Sequence, residues 1–127
     1  MPASTAAVLA AIGFLVIAAF QFALAAGAPL GRAAWGGKSA TLPANLRRAS
    51  TLAVVIWLLA AVLILGRGGV IEVPVPAAVL TWGAWILVVL SAAGALVNVA
   101  SSSAWERFGW APLAAALAIL SAIVASN

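Results

Sequence analysis

Four long apolar segments occupy most of this 127-residue chain. They cover approximately residues 4–26, 49–66, 77–98 and 104–125. A helix of about 20 apolar residues crosses the roughly 30 Å hydrocarbon core of a bilayer, and each segment reaches or approaches that length. The sequence therefore predicts an all-α, polytopic membrane protein, built as a compact bundle of four transmembrane helices.

The composition supports this prediction without reference to any particular segment. Hydrophobic residues make up 67% of the chain, charged residues make up 6%, and the mean hydropathy is +1.27. A soluble domain of this size cannot bury so many apolar side chains. The connections, residues 27–48, 67–76 and 99–103, are too short for a separate domain, so we expect residues 1–127 to form a single integral membrane domain.

Several residue types that enzymes commonly use are absent from the chain. There is no His, Cys or Tyr, and both acidic residues are glutamates: Glu72 lies in a connection and Glu106 at a helix end. This composition excludes a disulfide, a thiol redox pair, the usual zinc and haem ligand sets and a Ser-His-Asp relay. We therefore predict no catalytic residue, no metal site and no cofactor, and the sequence favours a protein that is not an enzyme. The remaining alternative, an intramembrane enzyme, would have to work without histidine and use Glu106, Arg107, Arg32 or Lys38.

The basic residues are unevenly distributed between the connections. Five of the six lie in or beside the first and third connections, and the remaining one, Arg67, lies in the second. The five are Arg32, Lys38, Arg47, Arg48 and Arg107. Because positive charge is retained on the cytoplasmic side of a bacterial inner membrane, we expect these two connections in the cytoplasm and both termini outside. The same side chains are expected to contact anionic lipid headgroups, so the positive net charge requires no nucleic acid partner.

We expect the first apolar segment to be retained as a helix and not removed as a secretory signal. Residues 1–5 contain no Lys or Arg, whereas a signal peptide begins with positive charge. The apolar run also exceeds the 7–15 residues, approximately, that are usual for a signal peptide.

Residues 27–38 form the most unusual connection, because they combine four glycines and Pro29 with Trp35, Arg32 and Lys38. Pro29 and a preceding glycine end the first helix, since proline cannot continue the hydrogen-bond ladder. The apolar residues of this segment are atypical of a solvated linker, so we expect it to lie in the membrane interface or to fold back against the bundle, with Trp35 at headgroup depth. Its glycines either permit tight turns or, with Arg32 and Lys38, hold a lipid phosphate; their spacing does not match a nucleotide-binding loop.

The last helix carries an N-terminal capping signal. Ser103-Ala104-Trp105-Glu106 matches the S-x-x-E capping box, in which the serine hydroxyl and the glutamate carboxylate each bond a backbone amide at the helix start. The pattern assigns Ser103 and Glu106 a structural role. Pro112 removes one intrahelical hydrogen bond, and we expect it to kink the helix just inside the membrane.

Polar residues are predicted to converge at the cytoplasmic ends of the helices: Gln21, Asn98, Ser50 and Thr51. They form either a purely structural hydrogen-bonded contact between helices or a small polar pocket closed by the glycine-rich connection. Trp57 lies near the middle of the second segment, where its indole N–H bonds a neighbouring carbonyl or its ring lines a cavity for an apolar ligand. These five residues are the candidate ligand-binding residues.

Two parts of the chain resemble known sequences. One contains Gln21, Gly-Ala-Pro-Leu-Gly at 27–31, Ala-Trp-Gly-Gly at 34–37 and Leu-Pro at 42–43, and the other contains Asn98, Trp-Glu-Arg at 105–107 and Trp-Ala-Pro at 110–112. Both parts resemble a group of small four-helix bacterial inner-membrane proteins that have no established activity. The resemblance implies that the first connection, Gln21, Asn98 and the Trp-Glu-Arg triplet form one unit on the cytoplasmic side.

Two familiar four-helix families do not fit the sequence. Small multidrug exporters rely on a glutamate within the first helix, where this chain has Gln21 as its polar residue. Quinone-reducing four-helix oxidoreductases need cysteines, and this chain has none.

The leading functional hypothesis is therefore a non-catalytic structural or accessory protein that packs with itself, as a homo-oligomer, or with a larger membrane-protein partner. Small residues at four-residue spacing, such as Ala7 and Ala11, let helices approach closely within a bundle or between copies. The alternative is a binding or transport module for a lipid or another apolar small molecule on the side of the cytoplasmic leaflet. Such a module would use Gln21, Trp57, Asn98 and the glycine-rich connection.

Overall fold

The computed structural model describes residues 1–127 and contains four long helices and no strand. The helices are α1 (Ala3–Ala25), α2 (Ala44–Arg67), α3 (Ala77–Val99) and α4 (Ala111–Ala125), and a π-helical turn, Glu106–Trp110, leads directly into α4. All four are long and apolar enough to cross a membrane when the π turn is counted with α4. The predicted all-α, multi-pass bundle of four helices is therefore confirmed.

The helices pack as two antiparallel hairpins. α1 has its most extensive contacts with α2, and α3 has its most extensive contacts with α4. The hairpins meet along α1 and α4, where Gly13 approaches the Leu117 side chain. Contacts between α2 and α3 are fewer, and one of them, between Gly83 and Leu63, lies near the connection that joins these helices. The α2–α3 side of the bundle is therefore the more open one.

The two ends of the bundle differ in charge. One end carries the first connection (residues 26–43) and the third connection (residues 100–103), and it is named the basic end because five of the six basic residues lie there. The other end, named the terminal end, carries both termini and the second connection (residues 68–76). At the terminal end Arg67 donates to the backbone oxygens of Ala125 and Asn127, which joins the end of α2 to the end of α4.

The half of the bundle nearer the terminal end is densely packed. Alanines from all four helices form much of its buried core: Ala6, Ala7, Ala10, Ala11, Ala60, Ala61, Ala84 and Ala125. Phe14, Ile64 and Val124 fill the remaining space. Because small side chains let helix backbones approach closely, this half is stabilised by many short-range dispersion contacts.

A glycine ends α1 as the sequence predicted. Gly27 has a left-handed backbone, with φ of +93°, and the amide of Ala28 donates to the carbonyl of Ala23 at 3.0 Å. This is a Schellman arrangement, which satisfies carbonyls that the helix end would otherwise leave unpaired. Pro29 follows it, where no helical amide is required.

Pro43 predicts a helix start, and α2 begins directly after it, earlier than the boundary at residue 49 that hydropathy alone predicts. Polar residues lower the hydropathy of this first part, although they continue the helix, and proline before the first turn suits a helix start. Arg47 therefore lies near the beginning of α2, and its Nε donates to the carbonyl of Ala25 at 3.2 Å. A cation at the carboxyl end of α1 stabilises that end.

The start of the last helix differs in part from the predicted capping box. The amide of Glu106 does donate to Ser103 Oγ, at 3.4 Å, but the amide of Ser103 donates to Ser101 Oγ at 3.0 Å and not to the Glu106 carboxylate. The chain then widens into the π turn, in which the amide of Ala111 donates to the carbonyl of Glu106. The missing amide of Pro112 falls directly after this π turn, where the regular α-helical hydrogen-bond ladder is already interrupted.

Candidate ligand-binding cavity

The first connection folds back against the basic end of the bundle. It contains two 3₁₀ turns, Gly31–Ala33 and Trp35–Gly37, and the amide of Gly31 donates to the carbonyl of Ala40 at 2.9 Å. A small apolar cluster packs it onto the helices and consists of Leu24, Ala34 and Leu42, with Phe20 and Leu46 against them. Burial of these side chains stabilises the folded-back position, because it removes apolar surface from water.

Two indole groups join the first connection to the helices. Nε1 of Trp35 donates to Ser50 Oγ at 3.0 Å, and Nε1 of Trp110 donates to the carbonyl of Ala33 at 3.0 Å. The Trp110 ring also packs on Phe20, with the ring centroids 4.6 Å apart. Trp35 is 43% exposed, so part of its ring lies at the surface while its N–H is satisfied inside the protein.

The backbone beside these contacts is held in an uncommon conformation. Trp35, Gly36 and Gly37 all have positive φ, at 49°, 82° and 72°. This region is readily adopted by glycine, but for a residue with a β-carbon it costs roughly 1–2 kcal/mol. The hydrogen bonds of the Trp35 indole and the Gly36 amide therefore hold a strained turn in place.

Glu106 links the first connection to the third. Its Oε1 accepts hydrogen bonds from the Gly36 amide at 2.9 Å and from the Ser101 hydroxyl at 2.7 Å. Ser103 adds a second link, because its hydroxyl donates to the carbonyl of Arg32 at 2.7 Å. Hydrogen bonds to a charged acceptor contribute about 1.5–3 kcal/mol each, so the two bonds to Oε1 outweigh the single bond that a full capping box would give this carboxylate.

A cavity of about 760 Å³ lies beneath the first connection, between the two hairpins. Much of its wall is apolar or aromatic and includes Ile17, Phe20, Trp57, Trp110 and Leu117. Trp57 stacks on Phe14 with the ring centroids 5.5 Å apart, and this contact positions the indole in the wall. The lining residues of α3 run from Leu90 to Asn98, about 12 Å along the helix axis. The cavity is therefore large enough for a small organic molecule, since such sites measure roughly 300–1,000 Å³.

Two polar atoms of the cavity wall have no hydrogen-bond partner in the protein. They are Oγ of Ser91, a residue that is only 3% exposed, and Oε1 of Gln21. A buried polar atom without a partner costs about 1–3 kcal/mol, and such atoms are rare in folded proteins. The Gln21 oxygen accepts a hydrogen bond and the Ser91 hydroxyl donates or accepts one, so this wall is suited to a ligand with a polar group.

The cavity reaches the surface of the bundle on α3, and the sparse contacts between α2 and α3 leave room for an opening between these two helices. Leu90, Ala93 and Val97 line it and are also exposed on the surface of the bundle. They lie toward the basic end, away from the contact between Gly83 and Leu63 at the other end of these helices. In a helix bundle that spans a membrane this surface faces lipid, so the opening connects the cavity with the hydrocarbon region.

Glu106 is the only charged residue in the cavity wall. The five basic residues of the basic end, Arg32, Lys38, Arg47, Arg48 and Arg107, are exposed outside it. Arg32 donates to the carbonyls of Gly37 and Lys38 at 3.1 Å each, and Arg107 lies over the Phe108 ring at 5.2 Å. The cavity and the basic surface are therefore separate features of the same end.

Three of the five ligand-binding residues that the sequence predicts line the cavity, and the other two do not. Gln21, Trp57 and Asn98 all line the cavity. Ser50 is fully buried behind the wall, where it accepts the hydrogen bond from Trp35. Thr51 is exposed and donates to the carbonyl of Arg47, so it belongs to the surface of α2 and not to the cavity.

Reasoning from local patterns missed Ser91 and Ser101 and gave Glu106 only a capping role, whereas the resemblance implied that the Trp-Glu-Arg triplet and the first connection form one unit. Ser91 lies two helical turns before Asn98 and on the same face of α3, so this spacing is a signal that points to Ser91. Glu106 offers no such signal, because its partner Gly36 is 70 residues away along the chain. Contacts of this kind depend on how the helices pack.

No protein-family model, characterised protein or solved structure matches the chain at a significant level. The chemistry of the cavity wall is therefore the basis for assigning a function. Hydroxyls, amides, indoles and one carboxylate are groups that hold and orient a ligand by hydrogen bonds and apolar contact.

Proposed function

We propose that this protein binds an amphiphilic small molecule in the cavity between its two hairpins. The observation that carries the proposal is the pair of unpaired polar atoms, Ser91 Oγ and Gln21 Oε1, in a largely apolar wall. Each such atom costs about 1–3 kcal/mol, and these two differ from the unpaired Oγ of buried Ser121 because they border a cavity that a ligand can fill. A ligand with an apolar body and a hydrogen-bonding group satisfies both parts of the wall.

The route into the cavity supports a hydrophobic ligand. The opening at Leu90, Ala93 and Val97 faces the surface that lipid covers, so a molecule dissolved in the bilayer enters without crossing water. On the other side the first connection covers the cavity, held by Trp35 and Glu106. The first connection thus separates part of the cavity from bulk water, which strengthens hydrogen bonds formed there.

The proposed location is a bacterial inner membrane, with the basic end in the cytoplasm and both termini outside. The distribution of Lys and Arg supports this orientation, as does the resemblance to small bacterial inner-membrane proteins. In this orientation the cavity opens to the cytoplasmic leaflet. Exposed cations such as Arg48 and Arg107 then contact anionic headgroups outside the cavity.

A structural or accessory role, in which the protein packs with itself or with a larger membrane protein, is the second candidate. The exposure of α3 supports this role. Only 17% of its most apolar 18-residue stretch is buried within the chain, which is a smaller share than in any of the other three helices. A face of this kind accommodates another helix as well as lipid. This role predicts a defined oligomer or a partner complex that does not depend on the cavity.

Native mass spectrometry of the protein released in a gentle detergent separates the two functions. The binding function predicts a reproducible small-molecule adduct that Ala93→Phe abolishes, because the new ring occupies the opening of the cavity. Ala92→Phe is the matched control, since Ala92 is also exposed on α3 but does not line the cavity, and this variant retains the adduct.

Other outcomes of the same experiment contradict the binding function. An adduct that both variants retain equally would place the ligand elsewhere on the protein. A defined oligomer without an adduct, unchanged by Ala93→Phe, would support the structural role.

A further inference from the structure

Glu106 is a buried carboxylate without a cationic partner. Its side chain is 9% exposed, and both hydrogen bonds to Oε1 come from neutral donors, the Gly36 amide and the Ser101 hydroxyl. The adjacent cation, Arg107, is exposed and lies over Phe108. Carboxylates removed from water are normally paired with a positive charge, because desolvation is costly. Glu106 therefore leaves one negative charge uncompensated in the cavity wall.

Aromatic rings lie close to this carboxylate. Trp35 directly precedes Gly36, whose amide bonds Glu106, and Trp110 ends the π turn that Glu106 begins. Both rings line the cavity together with Phe20. The faces of aromatic rings attract organic cations, and the attraction strengthens when the cation is removed from water. A cavity wall that contains both a carboxylate and indoles is therefore suited to a positively charged group.

The charges around the cavity favour a cationic ligand over an anionic one. No Lys or Arg side chain lines the wall, so an anionic group would face Glu106 without a compensating charge. The basic residues of this end are exposed, where water and salt screen them. Inside the cavity the dielectric constant is lower, so the charge of Glu106 has the stronger effect on a bound molecule.

We propose that the ligand of this cavity is a lipophilic organic cation, specifically a hydrophobic amine that is protonated and carries an N–H group. This inference rests on the binding function proposed above. The cationic group lies at Glu106, beside Trp35 and Trp110, and Gln21 Oε1 accepts a hydrogen bond where the cation carries an N–H. The apolar body extends toward Trp57 and enters from the bilayer between α2 and α3.

Three probes of similar shape and different charge test the inference on wild-type protein in lipid nanodiscs. They are tetraphenylphosphonium as the cation, tetraphenylborate as the anion and tetraphenylmethane as the neutral compound. Equilibrium dialysis against empty nanodiscs of the same lipid subtracts partition into the bilayer. We expect saturable binding of tetraphenylphosphonium with an affinity at least roughly tenfold higher than that of either other probe.

Glu106→Gln is the variant that tests the carboxylate itself. The glutamine amide oxygen still accepts from Gly36 and Ser101, so the charge is removed while the two hydrogen bonds are kept. Glu72→Gln removes the only other acidic side chain, which is exposed at the terminal end, and it is the matched control. We expect Glu106→Gln to lower the affinity for tetraphenylphosphonium by roughly tenfold or more and Glu72→Gln to leave it unchanged.

The outcomes separate a failure of this inference from a failure of the binding function. If wild-type protein binds the neutral or anionic probe as tightly as the cation, the cationic ligand class is wrong and the binding function stands. If no probe binds but the adduct persists in the native mass spectrum, again only the ligand class is wrong. Absence of both probe binding and adduct contradicts the binding function as well. The comparison among probes uses the unaltered protein, so it decides the matter even if Glu106→Gln does not fold.

Discussion

Ser91 and Ser50 are both almost completely buried, at 3% and 0% exposure, yet their hydroxyls have opposite environments. Ser50 Oγ accepts the hydrogen bond of the Trp35 indole, whereas Ser91 Oγ has no partner and lines the cavity. In surroundings of low dielectric constant, a paired hydroxyl stabilises the fold modestly and an unpaired one destabilises it. The two serines therefore distinguish a structural hydroxyl from one that is available to a ligand.

Replacing each serine with alanine is expected to change the stability of ligand-depleted protein in opposite directions. Ser91→Ala raises the free energy of unfolding by about 1 kcal/mol because it removes an unpaired polar atom, whereas Ser50→Ala lowers it by about 1 kcal/mol because the Trp35 N–H loses its acceptor. Thermal unfolding midpoints in detergent measure both changes. A loss of stability in Ser91→Ala as large as that in Ser50→Ala would show that the Ser91 hydroxyl is already paired, and it would weaken the case for a bound ligand.

The first connection is an ordered element, although it contains no helix longer than a 3₁₀ turn. Its contacts come from separate parts of the chain: Ser50 on α2, Glu106 and Trp110 in the π turn, and Ser103 in the third connection. Segments open locally with a free energy that depends on such contacts. These hydrogen bonds therefore control how readily the cover of the cavity opens.

Trp110→Phe is expected to loosen the first connection without removing the aromatic ring that packs on Phe20. The variant loses the indole N–H that donates to Ala33, a contact worth about 1 kcal/mol, so amide hydrogen exchange of residues 30–38 increases roughly fivefold. Trp105→Phe is the control, because Trp105 is 69% exposed. Hydrogen-exchange mass spectrometry measures both variants, and equal protection of this segment in the two would contradict the role of Trp110.

Across the whole molecule, packing and charge both change from one end of the bundle to the other. The half near the terminal end has a core rich in alanine, and the half near the basic end contains the cavity and larger side chains such as Trp57 and Trp110. Closely packed helices resist deformation, whereas a cavity between two hairpins leaves them room to adjust. The terminal half thus supports the positions of the residues that line the cavity.

The orientation of the bundle in the membrane is testable because the chain has no native cysteine. Thr41→Cys places a single thiol on the exposed surface of the first connection, and Ile71→Cys places one on the exposed surface of the second. Because five of the six basic residues lie at the basic end, a membrane-impermeant maleimide is expected to label Ile71→Cys on intact bacterial spheroplasts and Thr41→Cys only after permeabilisation. The reverse pattern would show that the basic end lies outside, and labelling of both would indicate two orientations.

The helices of this protein follow from local patterns in the sequence. Long apolar runs form helices in a membrane because every backbone amide and carbonyl must be paired inside the segment. Gly27 and Ser103 mark helix ends through bonds to residues close by in the chain. Hydropathy alone was less accurate for α2, because Asn45, Arg47 and Arg48 lower the hydropathy of its first turns and nevertheless continue the helix that begins after Pro43.

The sequence by itself determined the number of helices, their approximate ends and the uneven distribution of charge, since each of these depends on neighbouring residues or on composition. Only the tertiary structure decided that the Glu106 carboxylate accepts from the Gly36 amide and not from the amide of its own helix cap. It also decided that Ser50 accepts the hydrogen bond of Trp35 while the Ser91 hydroxyl has no partner and lines the cavity. Local patterns show which side chains can form hydrogen bonds. Which of them find a partner depends on the packing of the two hairpins, because those partners lie on other helices and connections.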